Sequence, residues 1–445
     1  MNDPKDINNY KGYEHLSIDE LIEGLNHKDR STRLRCLAEL KQCLDKGMIK
    51  HPFRGNDVNN HIHTTYSFSP YSPSKAVWMA YNSGLKTAGI MDHDSIGGAQ
   101  EFIEAGRTIG MVTTIGVECR VNFSSTSLAG RRLNNPDQRS IAYVALHGIP
   151  HTQIDKVKGY FKPYTEARNK RNIKMVERIN SLMSGFNISI DFEKDVVPLS
   201  MYNEGGSITE RHLLYALALK MVQGYGKGES LVNFLEHELK LPMSAKVRSY
   251  LLDEMNMHYV YDLLGALKSD LVEKFYVDAD DECPHVKQIV EFSNSIGSIL
   301  AYAYLGDVEC SATGDKKAQK FEDEYIDELF EVIVGEGFNA VTYMPSRNTL
   351  EQLLRVKDLC VRHNLLQISG EDINSSRQSF ICEAQRNKEF ANLYDSTWAL
   401  IGHEFAATKN LEDAFFSRKT TSRYPEMEER IKIYKKIGLD SGNVV

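Results

Sequence analysis

Two different periods of apolar residues run along this chain. Over 17–47, Arg, Leu and Lys recur at helical spacing, which predicts two amphipathic helices. Ser17 with Glu20 makes a capping box for the first, and Gly47 a stop for the second. From His51 onward short apolar runs alternate with amphipathic stretches. NDVNNHIHTT reads as strand then loop, SPSKAVWMAYNSG as a helix closed by Gly84, and LKTAGIMDHDS as a strand ending in polar residues. IGGAQEFIEAGRTIG is a helix starting at Ile96, MVTTIGVECRV a third strand and IAYVALHGI a fourth. Such alternation predicts parallel strands joined by right-handed crossovers.

Between 164 and 281 helical patterns follow one another, too many for a single crossover, so this stretch reads as an insertion. Helix–strand steps resume near 286 and end in SILAYAYLGD, FNAVTYMPS and LLQISGEDIN; the tail from 404 is helical. Seven strands with helices between them predict an α/β fold, a distorted (β/α)7 barrel, smaller than the eight-fold form. The expected organisation is an N-terminal helical extension over 1–50, a first barrel half over 51–163, the helical insertion over 164–284, a second barrel half over 285–410 and a C-terminal helical tail over 411–445.

Composition narrows the class. The 445 residues are 42% apolar and 26% charged, ordinary for a globular chain with a large core. The net charge of −8 argues against a stable nucleic-acid partner. No apolar run approaches the roughly 18 residues of a membrane helix, and the first 15 residues are polar, without the apolar core of a signal peptide. Seven dispersed cysteines (Cys36, Cys43, Cys119, Cys283, Cys310, Cys360 and Cys382) with no CxxC pair fit reduced thiols, hence a cytoplasmic protein.

The candidate chemistry gathers at strand ends, the edge where parallel α/β folds build their sites. His61 and His63 stand two apart on a strand, so both imidazoles face one point, a way to hold a divalent metal; the alternative is two polar loop histidines. Asp92, His93 and Asp94 are costly to bury together unless paired or metal-bound. Asp94 or Ser95 is expected to cap the following helix, while Asp92 and His93 reach the site. Glu118 is a lone carboxylate in an apolar strand, expected to bridge metals; the alternative is an ion pair with Arg120. His147 ends the fourth apolar run, as ligand or as a hydrogen-bonded structural group. His151, after Pro150, ranks behind it.

Together HIHTTYSFSPYSP, GLKTAGIMDHDSIGGAQEF, GVE and LH resemble the PHP (polymerase and histidinol phosphatase) family, whose pattern is HxHTxxS, TDHD followed by Gly, GxE and a His. Order and spacing agree over 58–151. Further on, Arg168 and Arg171 fit an RxxR helix of the phosphoesterase branch, and His212 fits a later metal-binding histidine. The closing GSDxH is SGEDINSS here: Asp372 matches, whereas Asn374 stands where the family has His. Ser67-Phe68-Ser69 replaces the SDG that often follows HxHT.

The resemblance implies metal ligands His61, His63, His93, Glu118, His147, His212, Asp372 and Asn374, holding two to three divalent ions (Zn, Mn, Fe or Mg). The departures at Phe68 and Asn374 would reduce three ions to two or change metal preference. Seven retained ionisable groups in one site destabilise a fold that lacks metal. The implied activity is hydrolysis of a small phosphoester, a metabolite or nucleotide, by a metal-activated water. Asp92 is expected as a catalytic or orienting group, and His212 alternatively as proton donor. Arg347 and Arg377, in loops after strands, and Arg168 and Arg171 are the candidate phosphate ligands. Hydrolysis of a C–N or C–O bond, or a regulatory metal- or phosphate-binding role without turnover, are the competing readings.

Overall fold

A computed structural model of the chain describes residues 16–308 and 319–442, so the polar first 15 residues and Cys310 lie outside the described residues. In α1 (Ile18–Gly24) the expected Ser17–Glu20 capping box is formed, and α2 (Arg30–Asp45) follows, with Gly47 beyond it at a positive φ of 71°. The chain then runs through β1 (Val58–Ile62), α3 (Pro73–Asn82), β2 (Thr87–His93), α4 (Ala99–Ile109), β3 (Val112–Asn122) and β4 (Ile141–His147). A helical stretch comprises α5 (Ile154–Met183), α6 (Glu210–Tyr225), α7 (Glu229–Asn233), α8 (Ala245–Leu252) and α9 (Tyr259–Phe275). The remainder is α10 (Val286–Ile296), β5 (Ile299–Ala303), α11 (Ile326–Glu336), β6 (Ala340–Tyr343), α12 (Leu350–Arg362), β7 (Leu366–Ser369), α13 (Ala391–Lys409), α14 (Arg418–Arg423) and α15 (Met427–Gly442).

The strands form one curled sheet in sequence order, β1 to β7. Its two edges meet: His63 donates its backbone N–H to the Ile373 carbonyl (3.0 Å) and Ile373 returns one to His61 (3.1 Å). The fold is therefore a distorted seven-stranded TIM-like barrel. One expectation needs correction. β4 runs antiparallel to both β3 and β5, while the other neighbouring pairs are parallel. The physical reason lies in 123–140, which contains no helix: without a crossover the chain can only turn back. A second correction concerns the cap after β2. The next helix begins at Ala99 with Gly98 at its N-cap, and neither Asp94 nor Ser95 caps it.

The main apolar core fills the space between sheet and outer helices, with Phe102, Phe123, Tyr302, Phe330 and Leu353 among its members. The N-terminal helices are held to it by a buried ion pair, Arg33 Nε donating to Glu101 Oε1 at 2.8 Å. A separate apolar cluster spans α5 to α9, including Met175, Leu217, Phe234 and Leu267, so these helices bury a core of their own. Among the described residues no helix is long and apolar enough to cross a membrane, and six cysteines are free thiols.

α13 and α15 cross so closely that a Cβ on Gly402 would collide with the Tyr434 carbonyl, and one on Gly438 with the Trp398 carbonyl. Backbone atoms cannot rotate away as a side chain can. Gly402→Ala is thus expected to destabilise the chain by about 2 kcal/mol, within the usual overpacking range, while leaving metal binding unchanged. Thermal melts beside metal analysis check this; a neutral melt would show that the helices can part freely.

Candidate metal centre

The strand register explains why these side chains meet. His93 pairs with Glu118 across β2 and β3, so both face the same way. His61 and His63 share a face of the extended chain at the end of β1, with ring centroids 5.0 Å apart, and His63 lies 4.5 Å from His93. Asp372 is carried in by the segment after β7 that pairs with β1. His147 comes from antiparallel β4, where Leu146 pairs with Val117; it therefore lies beside Gly116, a level deeper than Glu118.

Two three-residue groups have ligand atoms within 4.8 Å of one another: His61, His63 and Asp372, and His63, His93 and Glu118. Glu118 Oε2 is 3.0 Å from His93 Nδ1, and its Oε1 is 3.8 Å from His61 Nε2. Burial alone would raise the Glu118 pKa, but the His61 and His93 charges outweigh it and hold the carboxyl well below its usual range. Burial likewise opposes ionisation of Asp372, and His63 more than offsets it. Burial pushes the His147 imidazole down to about 3, keeping it neutral and free to offer a lone pair.

These residues fit divalent ions better than they fit one another. The Nε2 atoms of His61, His63 and His147 are buried and make no hydrogen bond. His63 Nε2 is only 3.1 Å from Asp372 Oδ1 and still forms no aligned bond. Two groups that approach without pointing at each other would both reach a divalent ion placed between them. A buried polar atom without a partner otherwise costs about 1–3 kcal/mol.

Asp92 is placed as an orienting group, but toward His63 rather than its neighbour His93. It faces away from the cluster, accepting from Thr64 N, Thr64 Oγ1 and Ser67 Oγ, each at 2.6 Å. The Ser67 proton is thereby committed to Asp92, so at the 3.3 Å contact with His63 Nδ1 the serine oxygen must accept. The His63 proton then sits on Nδ1, and Nε2 presents its lone pair to the site. Asp92→Ala is expected to weaken metal binding by roughly 10–100-fold, with activity largely regained at saturating metal. A metal titration of activity checks this; loss that no metal concentration restores would make Asp92 a direct participant.

The remaining candidates divide clearly. Arg168 and Arg171 are buried and committed to carboxylates, which corrects their reading as phosphate ligands. Arg168 pairs with Asp94 (2.6 Å) and Glu282 (3.2 Å), and Arg171 with Glu282 (2.5 Å) and Glu210. Arg120 shares the face of Glu118 but pairs with Glu282 and Glu210, which removes the Glu118–Arg120 alternative. Arg377 forks onto Asp262 of the inserted helices, with both contacts at 2.8 Å, and stacks on Tyr250. Arg347 is close enough to Asp372 to feel its charge, and donates to the Leu305 carbonyl at 3.0 Å. His151 is drawn off to Glu404 at 2.8 Å. Asn374 donates its amide to Asp372 Oδ1 at 2.7 Å, so it braces a ligand and offers no nitrogen lone pair. His212 Nδ1 accepts from the Thr209 backbone N–H at 3.0 Å and lies 3.3 Å from Thr209 Oγ1; like His147, His212 belongs to neither of the two groups. One residue escaped the sequence reading: Arg211, whose charge helps hold Asp372 ionised. Only its place beside His212 could have pointed to it.

A curled barrel with a His/carboxylate cluster at its strand ends defines the class, and comparison supplies the family. The PHP domain family model matches residues 59–438, and the chain belongs to the PHP family. Among solved structures it is similar to a protein assigned as a metal-dependent phosphoesterase from Bifidobacterium adolescentis, with TM-score 0.50, 19% identity, and 77% of this chain and 96% of that one covered. An amidohydrolase from Chromobacterium violaceum, solved with sulfate and no metal, is similar at TM-score 0.50 and 16% identity, covering 74% and 90%. No curated protein matches the chain.

Proposed function

We propose that this protein is a metal-dependent hydrolase that cleaves a small phosphoester, a metabolite or nucleotide. The observation that carries the reading is the convergence of His61, His63, His93, Glu118 and Asp372 into two groups that share His63 and whose ligand atoms lie within 4.8 Å of one another, with the Nε2 atoms of His61 and His63 buried and unpartnered. His61, His63, His93, His147, Glu118 and Asp372 would hold two divalent ions. Bound there, such ions supply a water of lowered pKa and positive charge against the substrate's oxygens. The chain does the rest. The Asp92–Ser67–His63 relay keeps the proton off His63 Nε2. Asn374 holds the Asp372 carboxylate in place. Arg347 and Arg211, whose charges interact with that of Asp372, provide charge for the anionic substrate. The inserted helices reach the loop after β7 through Asp262 and Arg377, which supports a role in limiting substrate size.

The phosphoesterase and amidohydrolase names of the two similar structures keep C–N bond hydrolysis as the second reading. Elemental analysis, with p-nitrophenyl phosphate hydrolysis with and without added Mn²⁺ or Zn²⁺, tests the first. Two ions per chain and metal-dependent turnover are expected. Metal-loaded protein that cleaves amides or lactones but no phosphoester would replace it with the second. Metal-free protein that stays inert after reconstitution would replace it with a binding module.

A further inference from the structure

The chain after β7 serves two places at once. Asp372 Oδ1 lies 3.1 Å from His63 Nε2 at the candidate metal centre, and Arg377 reaches Asp262 on α9. Between them Gln378 folds the loop onto itself. Its Oε1 accepts from the backbone N–H groups of Asn374 (2.8 Å) and Ser375 (2.7 Å), and its Nε2 donates to the Asp372 carbonyl (2.6 Å). Asn374 in turn donates its amide to Asp372 Oδ1 at 2.7 Å. A short loop closed in this way moves as a unit, so a displacement of Arg377 is passed on to the Asp372 carboxylate. Ile373 is already tied to β1 through its backbone, so what Arg377 adds concerns the Asp372 side chain and the turn after it.

Arg377 ends in a receptor shaped for a guanidinium. Its Nε and Nη2 donate to the two oxygens of Asp262, each at 2.8 Å, and Nη2 also to Asn256 Oδ1 at 3.2 Å. Its planar head lies 3.9 Å from the centre of the Tyr250 ring. Such a fork on a carboxylate, backed by an aromatic face, suits arginine and not lysine. The receptor is aligned from within its own segment. Asn256 donates its amide to Asp262 Oδ2 (2.8 Å) and to the Tyr250 carbonyl (3.0 Å), and its Oδ1 takes the His258 backbone N–H (2.9 Å). Leu251, Tyr259 and Leu263, next to these residues in the chain, are buried in the core that α5 to α9 share. The receptor therefore belongs to α8 and α9, whereas the loop that enters it belongs to the barrel.

We propose that Arg377 is a positioning residue: seated among Asp262, Asn256 and Tyr250, it steadies the turn that presents Asp372 and so makes α8 and α9 part of divalent-ion binding by His61, His63 and Asp372. This coupling rests on the metal-dependent reading of the site and is indifferent to the bond cleaved. Manganese titration of the full chain reads it, in Arg377→Ala, in Asp262→Asn and in each of these combined with Asp372→Asn, beside amide hydrogen exchange of the metal-free proteins. Arg377→Ala and Asp262→Asn remove opposite halves of one contact, so equal effects exclude local damage at either position. Each is expected to weaken one Mn²⁺ by roughly tenfold, as for partners that orient a ligand. A second ion should be held as before, and the Asn374 and Ser375 amides should exchange faster. In the Asp372→Asn background the same substitutions should change Mn²⁺ affinity no further, because the group they steady no longer binds. Unaltered Mn²⁺ affinity in either variant, or an effect that persists undiminished in the Asp372→Asn background, would overturn the coupling. Protein that shows the expected Mn²⁺ pattern but hydrolyses no phosphoester would support the coupling and sink the phosphoester reading alone; protein that binds no divalent ion would sink both.

Discussion

Glu118→Gln is expected to lose at least one bound divalent ion and to slow turnover by roughly a thousandfold. Glu118 is the carboxylate on which three imidazoles converge, at 3.0 Å for His93, 3.8 Å for His61 and 3.9 Å for His63. Gln keeps the shape, so the strands should fold as before. It removes the negative charge and replaces one oxygen with an N–H pair, a donor aimed at atoms that also need to meet a cation. Loss of one ion forfeits several kcal/mol of charge stabilisation in the transition state, and each 1.36 kcal/mol is about a factor of ten. Metal analysis and kcat at saturating Mn²⁺ check both halves. A variant with full metal content and wild-type kcat would place the chemistry elsewhere in the molecule. Stability should respond as well. Ions held a thousandfold above their Kd stabilise the folded chain by about 4 kcal/mol each, so chelation should lower the melting temperature of the wild type more than that of the variant.

The second large effect lies behind the site. Glu282 accepts from Arg120, Arg168 and Arg171, which with Glu210 and Asp94 form a buried set of three cations and three anions. This set joins β3 and the β2 end to α5 and α6, and so sets the inserted helices against the barrel. Glu282→Gln leaves one buried positive charge uncompensated, expected to cost about 3–5 kcal/mol, a large share of a total near 5–15 kcal/mol. The pH dependence follows. Burial would raise the Glu282 pKa, but the three guanidiniums outweigh it and hold the carboxyl below its ordinary 4.5. Its contribution is complete above the unfolded value and is lost as pH falls through the lower folded value. Urea midpoints at pH 7 and pH 4 should therefore converge between wild type and Glu282→Gln as acid is added. A gap that stays constant or widens would show that the charge of Glu282 is not what stabilises the junction.

The candidate ligands were legible because strand geometry is simple. A two-residue spacing such as His61 and His63 guarantees a shared face, and polar residues closing apolar runs, as in MDH and VALH, mark strand ends. The direction of β4 was less legible. His147 reaches the site from an antiparallel strand, and nothing in IAYVALH distinguishes one direction from the other. Roles that depend on proton positions were hidden too. Asp92 and His93 are neighbours in sequence, yet one orients His63 through Ser67 and the other faces Glu118.

By itself, then, the sequence determined the seven strands and five of the side chains that gather at the candidate metal centre, His61, His63, His93, Glu118 and Asp372, since periodicity and residue chemistry are local properties. Only the tertiary structure decided how those side chains are used. Arg168 and Arg171 carry the same charge as Arg211 and Arg347, but they sit on α5 facing Glu282 and Asp94, and a buried guanidinium is claimed by the nearest carboxylate. Glu282 is 162 residues from Arg120 in the chain, and no local pattern announces that they meet. Which nitrogen of His63 holds its proton depends likewise on Ser67 and Asp92, and folding alone brings those partners within reach.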